Sequence, residues 1–122
     1  MRIVYIEDES ADAQLVERYA NLMNHALVVT DSIQKAKAAI KDAPDLILVD
    51  MSIHQSRIGY DFVREIRTQG FTKPIVAVTG LTLAPDVERC YEVGCDEVLT
   101  KPYTINQLAE LFSRYEVQSN RA

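Results

Sequence analysis

The stretch that decides the fold is PDLILVD, residues 44–50. Four consecutive apolar residues stand between a proline–aspartate turn signal and a single aspartate. An uninterrupted apolar run of this length is typical of a strand buried on both faces of a parallel sheet. We therefore predict a β-strand over Leu46–Val49, with Asp50 directly after its last residue.

Working outward, four further runs have the composition of β-strands, namely Arg2–Ile6, Ala26–Thr30, Ile75–Thr79 and Glu97–Thr100. Segments with helical periodicity separate them. The first predicted helix has Ser10 as its cap and a buried stripe that runs from Leu15 to Met23. The last opens on the capping-box pattern of Thr104–Gln107. Strict alternation of strands and helices predicts an α/β fold, a three-layer αβα sandwich around a doubly wound parallel sheet.

Composition narrows the class of protein. The chain has 122 residues, 48% of them hydrophobic and 25% charged, with a formal net charge of -5. These proportions predict one domain over residues 1–117 and a tail over 118–122, with no room for an output domain. The acidic balance argues against nucleic acid or an anionic membrane as a partner. Cys90 and Cys95 fit two structural thiols, and the chain lacks a signal-peptide pattern, so we expect a cytoplasmic protein.

Polar residues follow four of the predicted strands at the point where each strand ends. They are Glu7 and Asp8, Asp50, Thr79 with Gly80, and Lys101. In a doubly wound sheet, functional groups gather at the carboxyl ends of the strands, so these side chains are predicted to share one cleft. Three carboxylates in one cleft repel one another, and a divalent cation relieves that repulsion.

The cluster therefore predicts a Mg²⁺ site built mainly from Asp8 and Asp50. The backbone carbonyl of Ser52 is a further candidate ligand, and Glu7 is a candidate through water. A carboxylate beside Mg²⁺, a lysine and a hydroxyl is suited to phosphoryl transfer, with Asp50 as the nucleophile. Mg²⁺ and Lys101 would neutralise the transferring oxygens, and Thr79 would donate a hydrogen bond to one of them.

On these motifs the chain resembles the receiver domain of two-component response regulators, the CheY-like family. The matching segments are IVYIEDES, PDLILVD, PIVAVTG and VGCDEVLTKPY, and the resemblance extends from Arg2 to about Tyr115. It implies a five-stranded sheet in the order 2-1-3-4-5, the strand order of CheY itself. It also implies that Asp50 accepts a phosphoryl group from a phosphohistidine on a histidine kinase or a histidine phosphotransfer protein. Thr79 matches the family's switch hydroxyl, and the bond between Lys101 and Pro102 is expected to be cis.

The chain departs from the family pattern at three places. His54 stands where proline is usual, in a loop that is one residue longer, and we expect a solvent-exposed loop histidine there. Val98 stands where the family often has the switch aromatic, so the readout of Thr79 is expected to differ from the usual coupling to an aromatic ring. Leu81, two residues after Thr79, cannot orient water, which predicts slow self-dephosphorylation at Asp50.

Four functions compete on the sequence alone. The first is a stand-alone phosphoacceptor that is not an enzyme, and that signals to an unknown target protein through protein contacts. A haloacid-dehalogenase type of phosphatase needs a second aspartate where Ser52 stands. An FMN-binding flavodoxin needs phosphate donors where Glu7 and Asp8 stand. An unphosphorylated adaptor with a vestigial site is the remaining alternative.

Overall fold

Strands and helices alternate throughout the computed structural model, which describes residues 1–80 and 83–119. The strands are β1 (Arg2–Ile6), β2 (Ala26–Thr30), β3 (Leu46–Asp50), β4 (Ile75–Thr79) and β5 (Glu97–Thr100). The helices are α1 (Ser10–Leu22), α2 (Ile33–Ile40), α3 (Ile58–Thr68), α4 (Ala84–Val93) and α5 (Ile105–Ser119), with a short 3₁₀ helix at Ile53–Gln55. The strands match the predicted ranges, except that β3 continues through Asp50.

The five strands form one parallel sheet in the order β2-β1-β3-β4-β5. This order confirms the predicted doubly wound fold. The central strands β3 and β4 are buried at every position, whereas the edge strand β2 leaves Val28 about half exposed. The register aligns the carboxyl ends of the central strands, because Ile6 pairs with Val49 and Asp50 pairs with Val78. Residues that follow these strands therefore meet at one edge of the sheet.

Two apolar layers hold the helices against the two faces of the sheet. One layer packs α2, α3 and α4 against alternate strand residues such as Ile47 and Ala77. The other packs α1 and α5 against the intervening residues, such as Leu48 and Val78. The alternation follows from the pleat, since successive side chains of a strand point to opposite faces. The same pleat leaves the groups at the strand ends between the two layers.

The helix boundaries confirm the predicted capping box of Thr104–Gln107 and correct the predicted cap at Ser10. Ser32 accepts a hydrogen bond from the backbone of Lys35 at the start of α2, and Thr104 and Gln107 form the reciprocal capping box of α5. Gly94 ends α4 with a φ of 119°, a conformation that favours glycine. The prediction for Ser10 was wrong: Ser10 is the first helical residue of α1, and Glu9 precedes it without a side-chain cap.

The buried face of α1 matches the predicted stripe only in part, at Val16 and at the partly buried Leu15 and Tyr19. Ala13, Val16 and Ala20 are its buried residues, whereas Leu22 is 75% exposed. The small alanines let α1 lie close to the sheet, and the large residues at its end extend past the edge of the core. A helical period alone does not distinguish these two outcomes.

The C-terminal helix extends further than predicted. It continues to Ser119, two residues into the segment 118–122 that was expected to be a tail, and residues 120–122 lie outside the described part of the chain. Cys90 and Cys95 are both free and buried. Within the described residues, none of the helices has the length and apolar character needed to cross a membrane.

Candidate functional site

Three carboxylates meet at the carboxyl edge of the sheet. Asp50 is the last residue of β3, and Glu7 and Asp8 follow β1. One oxygen from each of the three lies within 4.8 Å of the others. Glu7 and Asp50 are each only 3% exposed, whereas Asp8 is exposed. The predicted meeting of these three side chains is confirmed, and their roles as ligands and nucleophile stay predictions.

Lys101 reaches this cluster from the end of β5. Its Nζ lies 2.6 Å from Glu7 Oε1 and 3.7 Å from Asp50 Oδ2. The peptide bond that follows it, to Pro102, is cis, as the family resemblance implied. The lysine therefore places one positive charge against two buried carboxylates, and a net negative charge is left for a cation to balance.

The two buried carboxyl groups differ in proton affinity. Burial raises the pKa of Glu7 to about 7, hydrogen bonding with Asp50 adds to the rise, and Lys101 opposes it. Burial would raise the pKa of Asp50 as well, but hydrogen bonds from Glu7 and Ser52 outweigh it and hold that pKa below its usual value. Asp50 is thus kept ionised, whereas Glu7 binds a proton more readily because it is buried beside the charged Asp50.

Ser52 holds Asp50 from the loop that follows β3. Its backbone N–H donates to Asp50 Oδ1 at 3.0 Å, and its hydroxyl donates to the same oxygen at 2.9 Å. Two bonds to one oxygen fix the orientation of the carboxylate. The hydroxyl contact was not predicted, because the sequence indicated Ser52 only as a carbonyl donor to the metal.

Thr79 and Val98 lie on β4 and β5. Thr79 ends β4 and is fully buried, while Val98 is partly buried, pairs with Ala77 and packs in the apolar layer beneath α2, α3 and α4. A switch role for Thr79 and Val98 stays a prediction. Leu81, on which the prediction of slow self-dephosphorylation depends, lies outside the described residues.

The loop after β3 places His54 against the acidic cluster. The backbone N–H of His54 donates to Asp8 Oδ2 at 3.1 Å, and its ring Nε2 lies 2.8 Å from the carbonyl oxygen of Asp31. The side chain of His54 is 50% exposed. The expected solvent-exposed histidine is therefore half exposed and holds contacts with the residues after both β1 and β2.

Three further contacts of the site were not predicted from the sequence. Asp12, in the first turn of α1, lies 2.9 Å from Lys101 Nζ. The hydroxyl of Tyr5 donates to Glu7 Oε1 at 3.1 Å, and that of Tyr103 donates to the carbonyl of Asp12. Asp12 stands in the first turn of the helix that follows the acidic pair, but nothing in the sequence indicated that it would contact Lys101.

The donor set fits Mg²⁺. This ion prefers hard oxygen ligands, keeps several waters, and takes one or two carboxylates from the protein. Asp8 and Asp50 offer such carboxylates, one exposed and one at the base of the cleft.

Fold and site together define an α/β signalling domain of the CheY-like type. The chain belongs to the response regulator receiver domain family, whose sequence model matches residues 3–113. This family is a signalling domain rather than a classical enzyme.

Similar proteins come from bacteria and plants. The sensor histidine kinase RcsC of Salmonella typhi is 30% identical over 125 residues, which cover 100% of this chain and 13% of RcsC. The two-component response regulator ORR41 of rice, Oryza sativa subsp. japonica, is 28% identical over 96% of this chain and 95% of its own length. This chain therefore spans only a small part of RcsC but nearly the whole of ORR41.

A solved structure extends the comparison to the site. The receiver domain of the sensor histidine kinase PA1611 from Pseudomonas aeruginosa PAO1 superposes with a TM-score of 0.81 at 26% identity. The match covers 93% of this chain and 95% of that one. That structure holds a magnesium ion coordinated in its active-site cleft.

Proposed function

We propose that this chain is a phosphoacceptor that takes a phosphoryl group on Asp50 from a phosphohistidine, with Mg²⁺, and passes the signal on through protein contacts. The observation that supports this most directly is the placement of Asp50. It is a buried, ionised carboxylate held by Ser52, with Lys101 and two further carboxylates beside it. A nucleophile, a fixed positive charge and a cation site are the parts that phosphoryl transfer needs.

In the proposed reaction, an oxygen of Asp50 attacks the phosphorus of the phosphohistidine. The new bond joins that oxygen to phosphorus, the bond from phosphorus to the imidazole nitrogen breaks, and the electron pair leaves with the imidazole. Asp50 Oδ1 already accepts two hydrogen bonds from Ser52, so we assign the attack to Oδ2, the oxygen that faces Lys101. The product is an acyl phosphate on Asp50.

Lys101 and Thr79 would stabilise the phosphoryl oxygens during transfer. The ammonium group of Lys101 is already at the cleft, and its hydrogen bonds with Glu7 and Asp12 raise its pKa, despite burial, so that it stays charged. A fixed positive charge lowers the barrier because it needs no reorganisation as the charge develops. Thr79, at the end of β4, would donate its hydroxyl to one phosphoryl oxygen.

Mg²⁺ in this proposal is held by Asp8, Asp50 and the backbone carbonyl of Ser52, with Glu7 bound through water. When bound, it would neutralise charge on the phosphoryl oxygens. The magnesium ion in the cleft of the PA1611 receiver domain supports this assignment.

The proposed partners are a histidine kinase or a histidine phosphotransfer protein, and a downstream target protein. Receiver domains of response regulators interact with histidine kinases, and RcsC and PA1611 are themselves sensor histidine kinases that match this chain over one part or domain. The proposal includes a cytoplasmic location and a stand-alone protein. The stand-alone part is supported by the rice response regulator ORR41, of which this chain covers 95%.

The test is uptake of phosphoryl from radiolabelled acetyl phosphate in the presence of Mg²⁺. We expect an acid-stable, base-labile label on the wild-type protein, none on Asp50→Asn, and none when EDTA replaces Mg²⁺. Asp61→Asn, which changes an exposed aspartate of α3, is the matched control and should label like the wild type.

Two outcomes would overturn the proposal. Absence of label on a folded wild-type protein would favour the protein-binding adaptor with a vestigial site. Equal label on Asp50→Asn would show that the acceptor is another residue.

A further inference from the structure

Lys101 is held at the site by a carboxylate that lies outside the acidic cluster. Its Nζ lies 2.9 Å from Asp12 Oδ2 and 2.6 Å from Glu7 Oε1, whereas Asp50 Oδ2 is 3.7 Å away. An N–H···O hydrogen bond spans about 2.7–3.2 Å, so Lys101 bonds Asp12 and Glu7 but does not bond Asp50. Two carboxylates other than the phosphoacceptor therefore set the position of the ammonium group.

The distance between Lys101 and Asp50 matters because Asp50 Oδ2 is the oxygen to which we assign the attack. An ammonium group that bonded this oxygen directly would occupy the lone pair that has to reach phosphorus. The ammonium group has three N–H donors, and Glu7 and Asp12 accept two of them, which leaves at most the third for a phosphoryl oxygen. The two bonds thus keep Lys101 beside the attacking oxygen without blocking it.

Asp12 is itself anchored to the segment that carries Lys101. It stands in the first turn of α1, and its backbone carbonyl accepts a hydrogen bond from the hydroxyl of Tyr103 at 3.1 Å. Tyr103 follows Lys101 by two residues and packs in the apolar layer beneath α1 and α5. The side chain and the backbone of Asp12 therefore both connect α1 to the segment after β5, and this fixes the place of the carboxylate.

We propose that Asp12 is a positioning residue for phosphoryl transfer to Asp50. It acts through Lys101, because it holds the ammonium group away from Asp50 Oδ2 and within reach of the phosphoryl oxygens. This inference rests on the proposed function and adds to it a residue of α1, outside the strand ends. The side chain of Asp12 is 45% exposed, and ion pairs as exposed as this contribute little to folding. Variants of Asp12 are therefore expected to fold.

The test compares initial rates of phosphoryl uptake from acetyl phosphate, with Mg²⁺ in excess, for the wild type and Asp12→Ala. A catalytic group that is misplaced by about 1 Å can lower a rate about 100-fold. Because Glu7 still binds Lys101 in the variant, we expect a smaller decrease, of about tenfold. Asp12→Asn keeps an oxygen that accepts the bond from Lys101 but loses the charge that strengthens it, so its rate should fall by about threefold.

The sign of the effect separates positioning from a change of charge alone. Acetyl phosphate is an anion, so loss of a negative charge near the cleft would by itself speed its approach. Glu17→Ala removes the same charge from an exposed position of the same helix and should label at least as fast as the wild type. Circular dichroism checks that each variant is folded, and Asp12→Asn takes the place of Asp12→Ala if the alanine variant is not.

A double substitution tests whether Asp12 acts through Lys101. In a Lys101→Ala background, the added Asp12→Ala should change the remaining rate of uptake by less than about twofold, because residues that act as one unit are not additive. A general defect of α1 would instead slow uptake by the same factor in both backgrounds, and that result would overturn the inference.

The inference and the proposed function fail differently. Uptake by a folded Asp12 variant at or above the wild-type rate would overturn the positioning role, while Asp50 remains the phosphoacceptor. Absence of label on the folded wild type would overturn the proposed function, and the inference with it.

Discussion

Replacing Glu7 with glutamine should stabilise the metal-free protein at alkaline pH. Burial raises the pKa of Glu7 to about 7, against an ordinary value of 4.5. Glutamine resembles the protonated carboxyl group, because its amide accepts hydrogen bonds from Lys101 and Tyr5 and donates one toward Asp50. The substitution therefore removes the charge and keeps these contacts, and it loses only the hydrogen bond that the backbone N–H of Asp8 donates to Oε2 at 3.2 Å.

The sign and size of the effect follow from proton linkage. Below pH 4.5, Glu7 is protonated in both the folded and the unfolded chain, so its ionisation costs nothing. Between pH 4.5 and 7 only the unfolded chain releases the proton, and the stability of the folded state falls as the pH rises. Above pH 7 the loss is complete, at roughly 3 kcal/mol, since one pKa unit is worth about 1.4 kcal/mol.

The assay is thermal unfolding in EDTA at about pH 8 and about pH 4.5. A domain of this length unfolds with an entropy of about 250 cal/mol/K, so Glu7→Gln should raise the Tm at the higher pH by roughly 12 °C. At the lower pH the two proteins should unfold within about 2 °C of each other. Glu17→Gln removes the same charge from an exposed position of α1 and should change neither value much.

Two results would contradict this reasoning. A Tm of Glu7→Gln at or below that of the wild type in the alkaline buffer would mean that the charged Glu7 contributes to folding. A gain that is equal at both pH values would mean that the substitution acts through packing and not through ionisation.

Three further perturbations test other parts of the molecule. Gly59→Ala should lower the free energy of unfolding, measured with urea, by about 1–3 kcal/mol. A Cβ atom at this position would lie 3.2 Å from the backbone oxygen of Asp50, and the backbone of the buried strand cannot move away easily. Arg67→Met should lower the free energy of unfolding by about 2–4 kcal/mol in the same assay, because the guanidinium group of Arg67 bonds three backbone carbonyls and one carboxylate. Arg114→Met is the control and should lower it by less than about 1 kcal/mol, because the ion pair of Arg114 is half exposed. Lys101→Ala should slow phosphoryl uptake from acetyl phosphate about 100-fold or more while the protein stays folded, and uptake at the wild-type rate would contradict the role of its charge.

Much of the fold could be predicted because its signals are local. The apolar run of β3, the capping box at Thr104 and the terminating Gly94 each act within a few residues. The predicted stripe of α1 was right at Val16, with Leu15 and Tyr19 packed against the core, and wrong at Leu22. A helical period marks a face, but only the width of the sheet decides that Leu22, at the end of the helix, lies beyond the core.

The sequence allowed us to predict which residues would meet at the candidate site, but not which hydrogen bonds and ion pairs they would form there. Glu7, Asp50 and Lys101 stand at or just after the ends of predicted strands, and the parallel order of the sheet brings such positions to one edge. The contact of Lys101 with Asp12 depends on the direction in which α1 continues after β1. The contact of His54 with Asp8 depends on a left-handed turn at His54, where the sequence has no glycine to indicate one.

The sequence by itself determined the order of the elements and which residue types stand at the ends of the strands, because hydrophobic period, caps and turns act over short distances along the chain. Only the tertiary structure decided that Glu7 is buried while the adjacent Asp8 is exposed, and hence that the proton affinity of Glu7 is raised. Burial and charge pairing depend on distances between residues far apart in the chain, and those distances exist only once the helices pack on the sheet.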